Sequence, residues 1–177
     1  MEMMPLPPIL SFVGQSGSGK TTLLVKLIPE LKRRGYRIGT IKHTHHAPEE
    51  GGRGKDSARH KAAGAEAVIF ASSQRITLVK DSPGDDPESL LPYFCGMDLV
   101  ITEGYKKQPR PKIEVFRKAV HPEPLYRGQG DYIAMVTDAN LPLAIRQFDP
   151  EDVAGLADFI EERFLAGVPR PSRAAGC

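Results

Sequence analysis

Residues Gly14-Gln15-Ser16-Gly17-Ser18-Gly19-Lys20-Thr21 match the pattern G-x-x-x-x-G-K-[ST] at every fixed position. Each residue type in that pattern has a physical task. Glycines let the backbone curl until successive N–H groups point inward at phosphate oxygens. A helix starting at the end of the loop adds its own N-terminal donors and the positive end of its dipole. Lys20 is placed to reach the β- and γ-phosphates of a nucleotide, and the Thr21 hydroxyl to ligate Mg²⁺. Gly14, Ser16, Gly17, Ser18, Gly19 and Thr22 complete the expected phosphate-binding set. An accidental glycine-rich turn would also have to account for the apolar run before it and the helical pattern after it.

Three further groups fall at points where strands are expected to end. Glu103 closes the run Asp98-Leu99-Val100-Ile101-Thr102. A carboxylate there commonly completes a magnesium shell, and functional groups of such sheets collect at the carboxyl ends of strands. Position favours Glu103 over Asp98, which opens the same run; the plain alternative is a charged loop residue. Asp138 follows the run Ile133–Val136. A carboxylate there can accept hydrogen bonds from N1 and N2 of guanine, a donor pair adenine lacks, with Asn140 in reach to assist; the alternative is a turn-forming segment ahead of Pro142. Lys42, His43, His45 and His46 follow the second apolar run. Histidines so spaced can bind Zn²⁺ or Ni²⁺, contact phosphate or a partner, or simply face water, and no cysteine stands near them to complete a soft-metal site. Downstream, Lys55-Asp56-Ser57 could fold back over a nucleotide, with Asp56 behind the magnesium ligands.

The elements that must position these residues are legible in outline. Ile9–Val13 reads as a buried strand closed by Gly14. Leu23, Leu24, Leu27, Ile28 and Leu31 recur at helical spacing, with Arg33, Arg34 and Gly35 as stop signals and Pro29 as an expected kink. Arg37–Ile41 reads as the next strand, so the chain begins with strand–helix–strand, the start of a parallel sheet covered by helices. Thr44–Gly54 reads as a mobile loop, Lys55–Gly64 as a short helix, and Ala67–Ala71 with Arg75–Lys80 as two strands around a polar turn. Glu88–Phe94 is a short helix interrupted by Pro92, Lys112–Arg117 a half-buried strand, and Asp149-Pro150 the cap and first turn of a last helix. The stripe of that helix is Val153, Leu156, Ala157, Ile160 and Phe164. The fold class expected is α/β: a P-loop three-layer αβα sandwich with a mostly parallel sheet and an added antiparallel hairpin or edge. It occupies residues 1–168, and residues 169–177 form a Pro/Arg-rich tail expected to be disordered.

Bulk composition agrees with one domain of ordinary size. The 177 residues are 40% hydrophobic and 26% charged, with a formal net charge of +2. So mild an excess calls for neither nucleic acid nor an anionic membrane as partner. The two cysteines, Cys95 and Cys177, have no neighbours at redox or metal spacing. No apolar run nears the ~20 residues that span a bilayer, and Met1–Pro8 lacks the pattern of a signal peptide, so the expected compartment is the cytoplasm.

Taken together, several segments resemble the molybdopterin-guanine dinucleotide biosynthesis protein B family. They are the loop through Leu24, Ile41-Lys42-His43-Thr44-His45-His46, Gly54-Lys55-Asp56-Ser57, Ala63-Gly64-Ala65, Asp98 to Lys106, and Pro111-Lys112-Ile113-Glu114-Val115. The likeness runs from about Ile9 to Phe164. It implies a dimeric GTP-binding adapter that uses Mg²⁺, hydrolyses GTP slowly, and assists the guanylyltransferase that joins GMP to molybdopterin. Molybdopterin itself is then a further candidate ligand. Lys20, Thr21 and Glu103 carry over. The segment Ala47–Gly54 departs from the family in lacking acidic-aromatic character, which weakens any metal contact from it. Two other classes share the loop. A small-molecule kinase would need an arginine-bearing lid, which Arg53, Arg59 and Arg75 could supply, but no clear lid segment stands out. A nickel-delivery GTPase would need His43, His45 and His46 to bind metal.

Overall fold

The apolar run Ile9–Val13 forms β1, and every residue of it is buried. It pairs in parallel with β5 (Leu99–Glu103) on one side and β6 (Lys112–Phe116) on the other. The sheet extends to β2 (Ile38–Lys42) beyond β5, and to β7 (Tyr132–Thr137) and β8 (Gln147–Phe148) beyond β6, giving the order β2-β5-β1-β6-β7-β8. All of its pairings are parallel. The chain adds strands to one side of β1 and then to the other, so the carboxyl end of β1 sits at the topological switch point, where α/β sheets place ligands.

The computed structural model of the protein describes residues 6–44, 55–81, 84 and 86–168. The chain divides into two units, Thr44–Ser89 and the remainder. In the larger unit, alternation along each strand splits the apolar residues between two faces. On one face Leu10, Phe12, Leu99, Ile101, Ile113 and Val115 meet α1 (Lys20–Arg33) and α3 (Val153–Ile160). Leu27 and Leu31 of α1 are fully buried there, each contributing about 1.5–3 kcal/mol by removal from water. On the other face Ile9, Ile41 and Val100 pack with Tyr105 and with Leu91 and Phe94, which end the 3-10 helix Pro87–Phe94. That cover requires Gly39: a Cβ on it would stand 2.3 Å from the Phe94 ring.

Two expectations change on contact with the structure, the cap of the last helix and the half-burial of β6. Helix α1 runs through Pro29 without interruption. The cap of α3 is Asp152, whose carboxylate accepts from Gly155 N, while Asp149 holds a preceding turn by accepting from Glu151 N at 2.8 Å. A short π-helical segment, Glu161–Leu165, continues α3. Strand β6 is buried along its whole length rather than half-buried, because its polar residues have backbone partners. The Glu114 carboxylate accepts from Leu125 N at 2.5 Å and Tyr126 N at 2.8 Å. The Lys112 ammonium donates to the carbonyls of Gln108 at 2.7 Å and Lys106 at 3.2 Å.

The smaller unit holds α2 (Lys55–Ala62) and the hairpin β3 (Ala67–Ala71) with β4 (Ile76–Lys80), a separate antiparallel sheet rather than an edge of the large one. Gly64, at φ 101, ends the helix in a left-handed turn. The Ser72 hydroxyl closes the hairpin turn by accepting from Gln74 N and Arg75 N. Ile69, Ile76 and Leu78 of the hairpin are exposed. Asp56 (side chain), His45, His46, Ala47–Gly54 and the tail 169–177 lie outside what is described.

Candidate functional site

The loop after β1 has the backbone its glycines were expected to permit. Gly14, Gly17 and Gly19 take φ values of 151°, 76° and 90°. A Cβ on Gly14 would fall 2.4 Å from the Val115 carbonyl oxygen and 2.7 Å from Ser18 Oγ, so only glycine fits. The Lys20 ammonium folds back along the loop and donates to Gln15 O at 2.8 Å and Gly14 O at 3.2 Å. Burial pushes its pKa below the ordinary lysine value; Glu103 pulls it up and Lys106 and Lys42 push it further down.

Beside the loop, the Thr21 hydroxyl lies 2.9 Å from both oxygens of the Glu103 carboxylate. The two side chains come from residues 82 positions apart and meet because β5 lies next to β1, with Phe12 in register with Glu103. Lys42 Nζ is 3.9 Å from the same carboxylate. The turn after β5 is specialised. Tyr105, a non-glycine residue at φ 55, holds a left-handed backbone, a conformation that persists where surroundings enforce it. Its buried ring packs on His43 with centroids 4.5 Å apart, while His43 N donates to Glu103 O at 3.0 Å. His43 is thus part of the frame around Glu103. Among the described residues no group of three His, Cys, Asp or Glu is arranged to hold a metal.

On the other side of β1, Asp138 directly follows β7 and accepts from Arg117 Nε at 2.8 Å and Lys118 N at 3.3 Å. Arg117 lines a cleft of about 40 Å³ with Ser18, Gly19, Thr22, Val136 and Pro150. Lys26 and Glu151, also on its wall, form an exposed ion pair at 2.7 Å. Two residues of the segment between β6 and β7 touch the loop itself: His121 Nε2 stands 2.9 Å from Ser16 O, and Val120 is 3.5 Å from the Cβ position of Gly17. Arg117, Val120 and His121 were not singled out by sequence reasoning, since they sit in an aperiodic segment with no motif; being just past a strand end was their only signal.

A glycine-rich loop with an inward lysine, at the carboxyl end of the central strand of a parallel sheet and flanked by a hydroxyl–carboxylate pair, defines a P-loop nucleotide-binding fold. Within that class the chain belongs to the molybdopterin guanine dinucleotide synthesis protein B family, MobB, whose model matches residues 9–138. It is 42% identical over 163 residues to the molybdopterin-guanine dinucleotide biosynthesis adapter protein of Escherichia coli strain K12, covering 88% of this chain and 92% of that one. The Haemophilus influenzae adapter protein is 40% identical over 160 residues, covering 87% and 88% of the two chains. A crystal structure of molybdopterin-guanine biosynthesis protein B superposes with a TM-score of 0.70 at 32% identity, over 87% of this chain and 97% of that one.

Proposed function

We propose that this protein is a GTP-binding adapter in molybdenum cofactor biosynthesis, assisting the attachment of GMP to molybdopterin to form molybdopterin guanine dinucleotide. The observation that carries the reading is the P-loop with Thr21 2.9 Å from Glu103, in a chain of the MobB family. Backbone N–H groups of Gly14 to Lys20 would surround the phosphates, with Lys20 exchanging its loop carbonyls for phosphate oxygens. The hydroxyl of Thr21 and the carboxylate of Glu103 are the hard oxygen donors Mg²⁺ prefers and would hold it. When bound, that ion neutralises charge on the phosphate oxygens. Asp138 keeps unused lone pairs, since a carboxylate has about four acceptor positions, and these would accept the N1 and N2 donors of guanine.

Hydrolysis by the protein alone is slow in this reading, because among the described residues the side-chain partners of Glu103 and Thr21 are each other and Lys42, neither a glutamine to orient water nor an arginine to stabilise the leaving charge. The partner is the molybdenum cofactor guanylyltransferase, the compartment the cytoplasm, and the working form a homodimer. Calorimetric titration with GTP and ATP, with and without Mg²⁺, tests the nucleotide reading. The expected result is GTP-selective, magnesium-dependent binding, with the preference eroded in Asp138→Asn. A preference for ATP would overturn it. Adding the protein with GTP to the guanylyltransferase should raise the yield of dinucleotide, and an unchanged yield would sink the adapter role.

A further inference from the structure

The nucleotide loop is flanked unequally. Thr21, Glu103 and Lys42 gather on the β5 side of β1, whereas β6 and its following residue, Arg117, lie on the opposite side. A triphosphate whose metal-bearing end faces Glu103 must direct its α-phosphate and sugar the other way, toward the cleft that Arg117 shares with Ser18, Gly19 and Thr22.

Arg117 is aimed there by Asp138. Its Nε donates to Asp138 Oδ2 at 2.8 Å, and Lys118 N fixes the other carboxylate oxygen at 3.3 Å. The guanidinium edge that remains turns toward the first turn of α1: Nη1 is 3.7 Å from the Cβ position of Gly19, a residue that leaves the space in front of it open. The Nη groups have no hydrogen bond among the described residues, and the side chain stays 44% exposed. As a surface ion pair alone it would add little to stability. As a rigid fork beside helix N-terminal donors it matches phosphate chemistry.

We propose that Arg117 is a nucleotide-binding residue whose Nη groups contact the α-phosphate, with Asp138 positioning it, so that one ion pair joins the phosphate site to the base site. This rests on the GTP reading above and extends it. A phosphate contact made at the α position is shared by GTP, GDP and GMP and is blind to the base.

Calorimetry on the full chain with Mg²⁺ should therefore show Arg117→Gln weakening GTP, GDP and GMP by a similar factor, about tenfold or more. ATP should weaken by the same factor, leaving the GTP-to-ATP ratio unchanged, whereas Asp138→Asn should change that ratio. Arg117→Lys, which keeps the charge and loses the fork, should fall between wild type and Arg117→Gln, and all variants should melt near wild type. Unaltered affinities in a folded Arg117→Gln protein would overturn the contact. So would a loss confined to GTP with GMP spared, which would put the guanidinium on the terminal phosphates. A wild type that bound no guanine nucleotide would overturn the GTP reading itself, and the contact with it.

Discussion

The glycines of the loop are as specific as its lysine. Gly14 is closed in by the Val115 carbonyl, a backbone atom that has no rotamer to escape into. Gly14→Ala is expected to displace the start of the loop from β6 and to lose nucleotide binding together with about 1–3 kcal/mol of stability, because strain at a special backbone conformation adds to the clash. Denaturant unfolding and nucleotide titration of one sample would check both. Lys20→Ala is a contrasting case: among the described residues its ammonium hydrogen-bonds only to loop carbonyls and Ser18, so the fold should persist while affinity for GTP drops at least tenfold. A melting temperature unchanged beside a lost binding isotherm is the expected pair of results.

At the scale of elements, the end of α1 is tied to α3 and the segment after it through one guanidinium. Arg34 donates to Glu30 at 2.8 Å, Asp158 at 2.6 Å and Glu161 at 2.9 Å. Hydrogen bonds from Arg33 and Arg34 hold the Glu30 carboxyl down at about 2, from an ordinary 4.5. The native state then binds fewer protons than the unfolded chain between those values, so this contribution is complete above pH 4.5 and is lost as pH falls toward 2. Glu30→Gln should accordingly flatten the acid limb of a melting-temperature profile within that window and leave the neutral limb lower but parallel. The strands and helices involved were readable from apolar spacing, as were Lys20, Thr21 and Glu103 from their motif and strand end. What spacing hid were the partners. The alternation in Lys112 to Phe116 suggests a solvated face, yet Glu114 is 1% exposed and satisfied by amides of a loop whose course no periodicity encodes. Likewise β8 has two residues, too few to make a pattern, and Arg117 and His121 acquire meaning only once β6 is set beside β1.

For the molecule as a whole, the hairpin of the smaller unit gathers three of the exposed large hydrophobic residues among those described. A two-stranded ribbon is marginal in water on its own, and Ile69 opposite Leu78 remain 63% and 37% exposed with Ile76 at 71%. In the homodimer proposed above, a second copy of the chain would cover this ribbon. Leu78→Lys should then shift the mass seen by light scattering from dimer toward monomer while GTP affinity stays within about threefold of wild type. A dimer that survives this change would assign the contact to another surface.

The order of strands also governs how the protein comes into being. Among the described residues β1 pairs with β5 and β6 and β2 with β5 alone, so the first two strands to leave a ribosome wait for these partners until Leu99 follows them. The roughly 100 residues from Val13 to Phe116 take roughly 5–20 s to synthesise at ordinary rates. During that interval the phosphate loop exists as sequence without a scaffold, and Glu103 has yet to reach Thr21. On the proposed GTP-binding reading, the capacity to take up a nucleotide would therefore arrive only once translation has passed the sixth strand.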